Sequence, residues 1–291
     1  MIGKRPLLAL AALSLATTRS RAYAADGFAA LPARFARIEA ERGGRLGVAV
    51  LDTATGRRAL YRAEERFPFS STYKLIAAAA VLSRVDAGRE KLEREIPIQR
   101  ESLVTYSPVT EKRAGGRMSL AEICEAAITL SDNTAGNILF DAMDGPEGLT
   151  AWMREQGDGV SRLDRRETAL NEARPGDARD TTTPAAMLGH LERLTQGDAL
   201  SAASRRSLIG WLQANRTGDA RLKARLPAGW RAGEKTGTSA FSTSSDVGLL
   251  WPPDGAAPIL VAAYLTEGSA DGAIREAALA DIGAAIAQAA G

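Results

Sequence analysis

Phe67 to Leu82 reads FPFSSTYKLIAAAAVL, and the rest of the chain is organised around this stretch. Ser71 and Lys74 stand three residues apart. If Ser71 opens a helix, that spacing puts both side chains on one face, beside the outward-pointing N–H groups of the first turn. One turn then offers a nucleophile, a base and an electrophile. From Leu75 to Leu82 the run carries no charge, as a helix buried on all sides should, and such a helix holds its N-terminus rigidly. Taken alone, so short a pattern defaults to a core helix with a serine cap and a snorkelling lysine. Its companions in the chain decide the matter.

Strand patterns lie toward both ends. The apolar run at 46–51, a turn at 52–56 and an alternating run at 58–62 predict a hairpin. Further strand patterns come only at 231–238, 246–251 and 258–266. Helical apolar spacing covers 25–41 (Phe28, Leu31, Phe35, Ile38), stopped by Gly43 and Gly44. It returns at 271–289, with Ile274, Ala278, Ile282 and Ile286 on one face. Everything between the strand groups reads as helix or loop. The expected fold class is therefore α+β. A five-stranded antiparallel sheet flanked by helices is built from both chain ends (residues 25–66 and 213–291), and residues 67–212 form an inserted all-α domain. Seams between such parts favour active sites. The charged run 84–100 reads as solvated surface. Residues 161–184, with many charges, Gly176, Pro175 and Pro184, form a long non-periodic loop of the kind that tends to be functional.

With 291 residues, 45% hydrophobic and 25% charged, the chain can bury a full core. Residues 1–24 have the pattern of a secretory signal: Lys4 and Arg5, an apolar run from Leu7 to Ala16, then Ala22, Tyr23, Ala24. Losing Lys4, Arg5, Arg19 and Arg21 from the 37 basic residues leaves 33 against 35 acidic ones, so the formal charge moves from +2 to −2. The apparent basicity disappears, and with it any case for nucleic acid or an anionic membrane as partner. No later stretch is long and apolar enough to span a bilayer. The single cysteine, Cys124, sits in an apolar helical pattern as a small core residue. The single histidine, His190, reads as solvated or capping. One histidine and one cysteine leave little for a Ser-His-Asp triad or a zinc site, so hydrolytic chemistry must run on lysine and carboxylate bases, without metal or cofactor.

Three further patterns each occur once and in order: Ser131-Asp132-Asn133, Glu167 with Asn171, and Lys235-Thr236-Gly237. With Ser71 and Lys74 they make up the motif set of the class A β-lactamases and penicillin-binding proteins. Over essentially its whole mature length the chain resembles a class A serine β-lactamase, in segments such as SPVTEK, SDNTAGN, LDRRETALNEA and KTGT. The resemblance implies hydrolysis of penicillins and early cephalosporins, hence antibiotic resistance, by a monomer exported to the periplasm or secreted. Ser71 would be the nucleophile, with the oxyanion on its own N–H and that of Thr238. Ser131 would pass a proton to the leaving nitrogen between Lys74 and Lys235, two ammonium groups whose repulsion should depress at least one pKa. Asn133 would orient Lys74 and meet the substrate amide, and Asp132 would anchor its own loop. Ser131, Thr236, Thr238 and a guanidinium would receive the substrate carboxylate. The strand that carries this Arg in one branch of the family reads FSTSSDV here, so Arg221 is the replacement. Tyr106, Ser239 and Ala240 would shape the cleft edge.

Glu167 separates hydrolysis from mere acylation, because a carboxylate one water away from the acyl carbonyl can release the product, with Asn171 as the second partner of that water. Two alternatives stay open at this point: a penicillin-binding D,D-peptidase, which acylates and stalls, and a non-enzymatic β-lactam receptor. Arg165 and Asp180 resemble the salt bridge that closes the family's Ω-type loop, here about 162–180. The resemblance also implies a cis Glu167–Thr168 peptide. Arg166 and Thr168 stand where the family often has Trp and Pro.

Overall fold

The computed structural model describes residues 27–291; the expected signal segment lies outside the described residues. Helix α1 (Leu31–Arg42) carries Pro32 in its first turn, where the missing N–H costs nothing, and stops where Gly43 takes φ 76°. The chain then enters β1 (Arg45–Asp52) and β2 (Arg58–Tyr61), the expected hairpin. The remaining long strands are β7 (Arg231–Ser239), β8 (Thr243–Trp251) and β9 (Ile259–Thr266). Together they make one antiparallel sheet in the order β2-β1-β9-β8-β7. β1, β8 and β9 are buried almost end to end because helices cover both faces of the sheet.

One face packs on α1 and on the closing helix α8 (Gly272–Ala290) through Phe28, Leu31, Phe35, Val48, Val261, Ile282 and Ile286. Ile274, expected on that face, is 38% exposed in the first turn of α8, whose buried residues begin at Ala278. The other face continues into the helical part of the molecule, so Ala49, Leu249 and Tyr264 share a core with Phe67, Leu75 and Phe140.

At the centre of the helical part stands α2 (Tyr73–Asp86), in which every residue from Tyr73 to Leu82 is buried. It is ringed by α3 (Leu120–Thr129), α4 (Asn133–Asp141), α5 (Gly145–Glu155) and α7 (Ala202–Gln213). Ala77 to Ala80 let these neighbours approach closely, while each buried Leu, Ile or Val contributes roughly 1.5–3 kcal/mol. Helix α6 (Pro184–Thr195) lies against β1 and β9. The helical part also contains two short ribbons without an alternating signature: β3 (Phe67–Pro68) with β6 (Thr181–Thr182), and β4 (Glu95–Pro97) with β5 (Arg117–Ser119). The first ribbon holds the far end of the Ω-type loop against the approach to α2.

Two expectations are corrected here. Ser71 does not cap α2; it lies in a 3-10 turn, Ser70–Thr72, that precedes the helix, and the α2 cap residue Thr72 makes no side-chain cap bond. His190 is not solvated but fully buried in α6, where it pairs with Asp158 at 2.9 Å and stacks on Trp152. The Asp158 carboxylate serves Nε2 of the buried imidazole, while Nδ1 meets no hydrogen-bond partner among the described residues.

Candidate active site

The 3-10 turn before α2 puts Ser71 at the floor of a cleft of about 540 Å³. Ser71, Tyr106, Ser131, Asn133, Asn171, Arg216, Thr217, Arg221, Thr236, Gly237 and Thr238 line it. A cavity of about 590 Å³ outside the Ω-type loop, beside Arg45, Arg66 and Asp177, holds none of the groups described below. Lys74, one turn beyond Ser71, is fully buried. Its Nζ lies 3.0 Å from Ser71 Oγ, 2.9 Å from Ser131 O, 2.6 Å from Asn133 Oδ1 and 3.0 Å from Glu167 Oε1. Burial lowers the Lys74 pKa, and the Glu167 carboxylate beside it works in the opposite direction. Lys235, on β7, donates to Ser131 Oγ at 3.0 Å and to Thr236 O at 2.8 Å. Burial, then repulsion from Lys74 and Arg221, holds its ammonium well below the usual lysine range. The lysines thus approach Ser131 differently, Lys235 at the hydroxyl and Lys74 at the carbonyl.

Asp132 is the N-cap of α4, accepting from Ala135 N at 2.8 Å. The same carboxylate receives Val109 N and Thr110 N, each at 2.9 Å, so it ties two loops and does not face the cleft. Asn133 turns its oxygen to Lys74 and gives one amide N–H to Thr105 O at 2.8 Å. Tyr106 O accepts from Asn133 N, which fixes Tyr106, 56% exposed, at the rim.

Across the cleft, Gly237 of β7 lies against the nucleophile turn: a Cβ there would come within 2.9 Å of Ser70 Cβ and 2.4 Å of Ser245 Oγ. Ser70 Oγ and Ser239 Oγ add a 2.7 Å bond between turn and strand. Arg221 stands just before a short 3-10 turn, Leu222–Arg225, and is 6% exposed. It donates to Gly237 O at 2.8 Å, Ser245 O at 2.9 Å and Thr238 Oγ1 at 2.7 Å. A guanidinium held under the strand in this way presents positive charge to the cleft without needing an Arg on β8.

The Ω-type loop delivers Glu167. Arg165 Nε donates to Asp180 Oδ2 at 2.6 Å, and Asp180 Oδ1 accepts from the N–H groups of Asp164 and Arg165, closing the loop as expected. The Glu167–Thr168 peptide is cis, also as expected. Asn171 Nδ2 donates to Glu167 Oε2 at 2.6 Å. Asn137 of α4 brackets the Glu167 backbone, accepting from its N–H at 2.9 Å and donating to its carbonyl at 3.1 Å. Sequence reasoning missed Asn137, although it stands four residues after Asn133 and so on the same helix face. It also missed Arg216, which lines the cleft, and Thr217, whose hydroxyl meets Thr236 Oγ1 at 2.5 Å. No single-residue motif marks these two. A perturbed lysine within hydrogen-bond reach of both a hydroxyl and a carboxylate can carry a proton off a nucleophile and back onto a leaving group.

Against known proteins, the model of the beta-lactamase enzyme family matches residues 30–290. The chain belongs to the class A β-lactamase family. It is 48% identical over 248 residues to beta-lactamase AST-1 of Nocardia asteroides, covering 85% of this chain and 80% of that one. To beta-lactamase CTX-M-8 of Citrobacter amalonaticus it is 46% identical over 234 residues, 80% of each chain. Among solved structures, an ancestral (GNCA) class A β-lactamase superposes with a TM-score of 0.87 at 58% identity, covering 89% of this chain and 99% of that one. The fold expected from the sequence is that of this β-lactamase family.

Inside this class A framework Gly136 has a specific task. A Cβ at that position would come within 2.4 Å of Tyr73 Oη and 2.7 Å of Lys74 Cε. Gly136→Ala should therefore displace the Lys74 stem and lower kcat/KM by about 10²-fold while leaving the far-ultraviolet circular dichroism intact. Parent kinetics in that variant would show that the position of Lys74 is not critical.

Proposed function

We propose that this chain hydrolyses penicillins and early cephalosporins through an acyl-enzyme on Ser71. Ser71 Oγ attacks the lactam carbonyl as its proton leaves toward Lys74 or, through water, Glu167, and the oxyanion forms on the N–H groups of Ser71 and Thr238. Ser131, under the ammonium of Lys235, returns a proton to the departing nitrogen. Glu167, with Asn171, then deprotonates the water that cleaves the ester. Ser131, Thr236, Thr238 and Arg221 receive the substrate carboxylate beside Lys235, Asn133 the side-chain amide, and Tyr106 borders the side chain. The observation that best supports this reading is Lys74 Nζ, 3.0 Å from both Ser71 Oγ and Glu167 Oε1, which joins the acylating and deacylating groups in one chain of hydrogen bonds.

Intact-mass spectrometry during penicillin turnover tests it: drug should be consumed while the protein returns to its unmodified mass, whereas a persistent adduct would point to a penicillin-binding peptidase or receptor. Every step named runs on protein groups and water, so EDTA should leave the rate unchanged; loss on chelation with recovery on adding zinc would contradict the serine mechanism. No helix among the described residues is long and apolar enough to cross a membrane. Export through residues 1–24, a monomeric state, and a division into residues 25–66 with 213–291 and 67–212 belong to the same reading.

A further inference from the structure

We propose that Arg216, at the mouth of the hollow beside it, forms a subsite for an acidic substituent on the ring atom next to the one that bears the substrate carboxylate. The inference rests on the substrate-carboxylate reading above. Among the residues that line the cleft, Arg216 alone also lines a neighbouring hollow of about 340 Å³. The two spaces adjoin across residues 129–131, since Thr129 and Leu130 line the hollow and Ser131 lines the cleft.

The other cations at this site are committed. Lys74 and Lys235 are fully buried among their acceptors, and Arg221 gives its N–H groups to Gly237 O, Ser245 O and Thr238 Oγ1. Arg216 is exposed, and its guanidinium makes no hydrogen bond or ion pair with any described residue. Its backbone is nevertheless fixed. Arg216 N donates to Thr129 O at 3.0 Å, and Asn215 Oδ1 accepts from Thr217 N at 3.0 Å and from Thr217 Oγ1 at 2.8 Å. Thr217 Oγ1 also meets Thr236 Oγ1, so Arg216 stands one residue from the hydroxyls that receive the substrate carboxylate. A guanidinium anchored at its backbone and free at its tip can take a carboxylate through two parallel N–H bonds.

The ligand class follows from this placement. In a penicillin the ring atom next to the carboxylate-bearing carbon carries only methyl groups, whereas in a cephalosporin it carries the variable C3 substituent. That substituent leaves the ring on the carboxylate side, where Thr217 and Arg216 stand, and not on the amide side held by Asn133 and Asn171. The hollow beyond is apolar through Val109, Met118, Leu130 and Ala214, and its acids are Glu122, paired with Arg113 at 3.1 Å, and Glu125. Negative charge is therefore favoured at the Arg216 mouth and disfavoured deeper, so the subsite suits a short acidic arm.

Two cephalosporins alike except at C3, with 2-carboxyethenyl in one and 2-carbamoylethenyl in the other, test this by calorimetry on the Ser71→Ala protein, which lacks the hydroxyl that would be acylated. Adding Arg216→Ala should raise the Kd of the acid about fivefold, the upper range for an exposed ion pair, and that of the amide less than about twofold. The effect on the acid should shrink between about 0.05 M and about 0.5 M salt, as screening shortens the reach of the charge. Arg216→Lys, which keeps the charge but not the fork, should recover part of the affinity for the acid. Equal effects on the two ligands, or no effect on the acid, overturn the proposal. Binding of neither ligand overturns it together with the substrate-carboxylate reading. The measurement needs no turnover, so a protein with Ser71 intact that hydrolyses neither ligand while these affinities hold contradicts the hydrolase reading alone.

Discussion

Replacing Glu167 by alanine yields a protein that takes up one equivalent of penicillin and then releases it about 10²- to 10⁴-fold more slowly than the parent, the range a positioned general base contributes. Rapid-quench kinetics would show this as a full burst followed by a nearly flat steady state. Ser71→Ala behaves differently, with neither burst nor turnover, because it removes the hydroxyl held 3.0 Å from Lys74 Nζ. Glu167→Ala also removes the carboxylate that offsets the burial of Lys74, so the lysine is left more readily neutral and remains competent as a base for acylation. A Glu167→Ala protein that turned over penicillin near the parent rate would sink the water-activation role.

The second large effect is on stability. Asp132 is fully buried and accepts from Val109 N, Thr110 N, Thr110 Oγ1 and Ala135 N. Asp132→Ala removes the acceptor and strands these donors in the interior, at a cost of about 3–5 kcal/mol. For a chain of this size that corresponds to a fall in Tm of about 10 °C by calorimetry. Asp132→Asn, which keeps one acceptor oxygen, should lose less. A Tm for Asp132→Ala within about 2 °C of the parent would mean that the two loops are held by something else.

The sequence made the frame legible where a residue's neighbours along the chain decide its state. Gly43, the uncharged run after Lys74 and the paired apolar runs at both ends are local signals, and α1, α2 and the five-stranded sheet followed from them. The motif residues Ser71, Lys74, Ser131, Asn133 and Lys235 also meet as their order implied, because a buried helix and a strand edge converge on one turn. What stayed hidden depends on partners far away in sequence. His190 looks like a surface residue until Asp158 and Trp152 are seen against it. Nothing local in TGDARLKARLP shows that Arg221 is buried; three acceptors on β7 and β8 draw it under the sheet. The ribbons of two or three residues are set by loop closure and carry no alternation to read. Thr217 and Asn137 are ordinary polar residues whose importance comes only from the hydroxyl and the backbone they face.

The chemistry proposed for the cleft turns on one covalent bond, from Ser71 Oγ to the opened lactam. Peptide mapping by tandem mass spectrometry of the Glu167→Ala protein after exposure to penicillin reads that bond directly. The expected result is a single adduct with the mass of the intact drug, on the peptide containing Ser71 and lost in the Ser71→Ala/Glu167→Ala double variant. An adduct on any other residue, or none while the drug is consumed, would contradict the account.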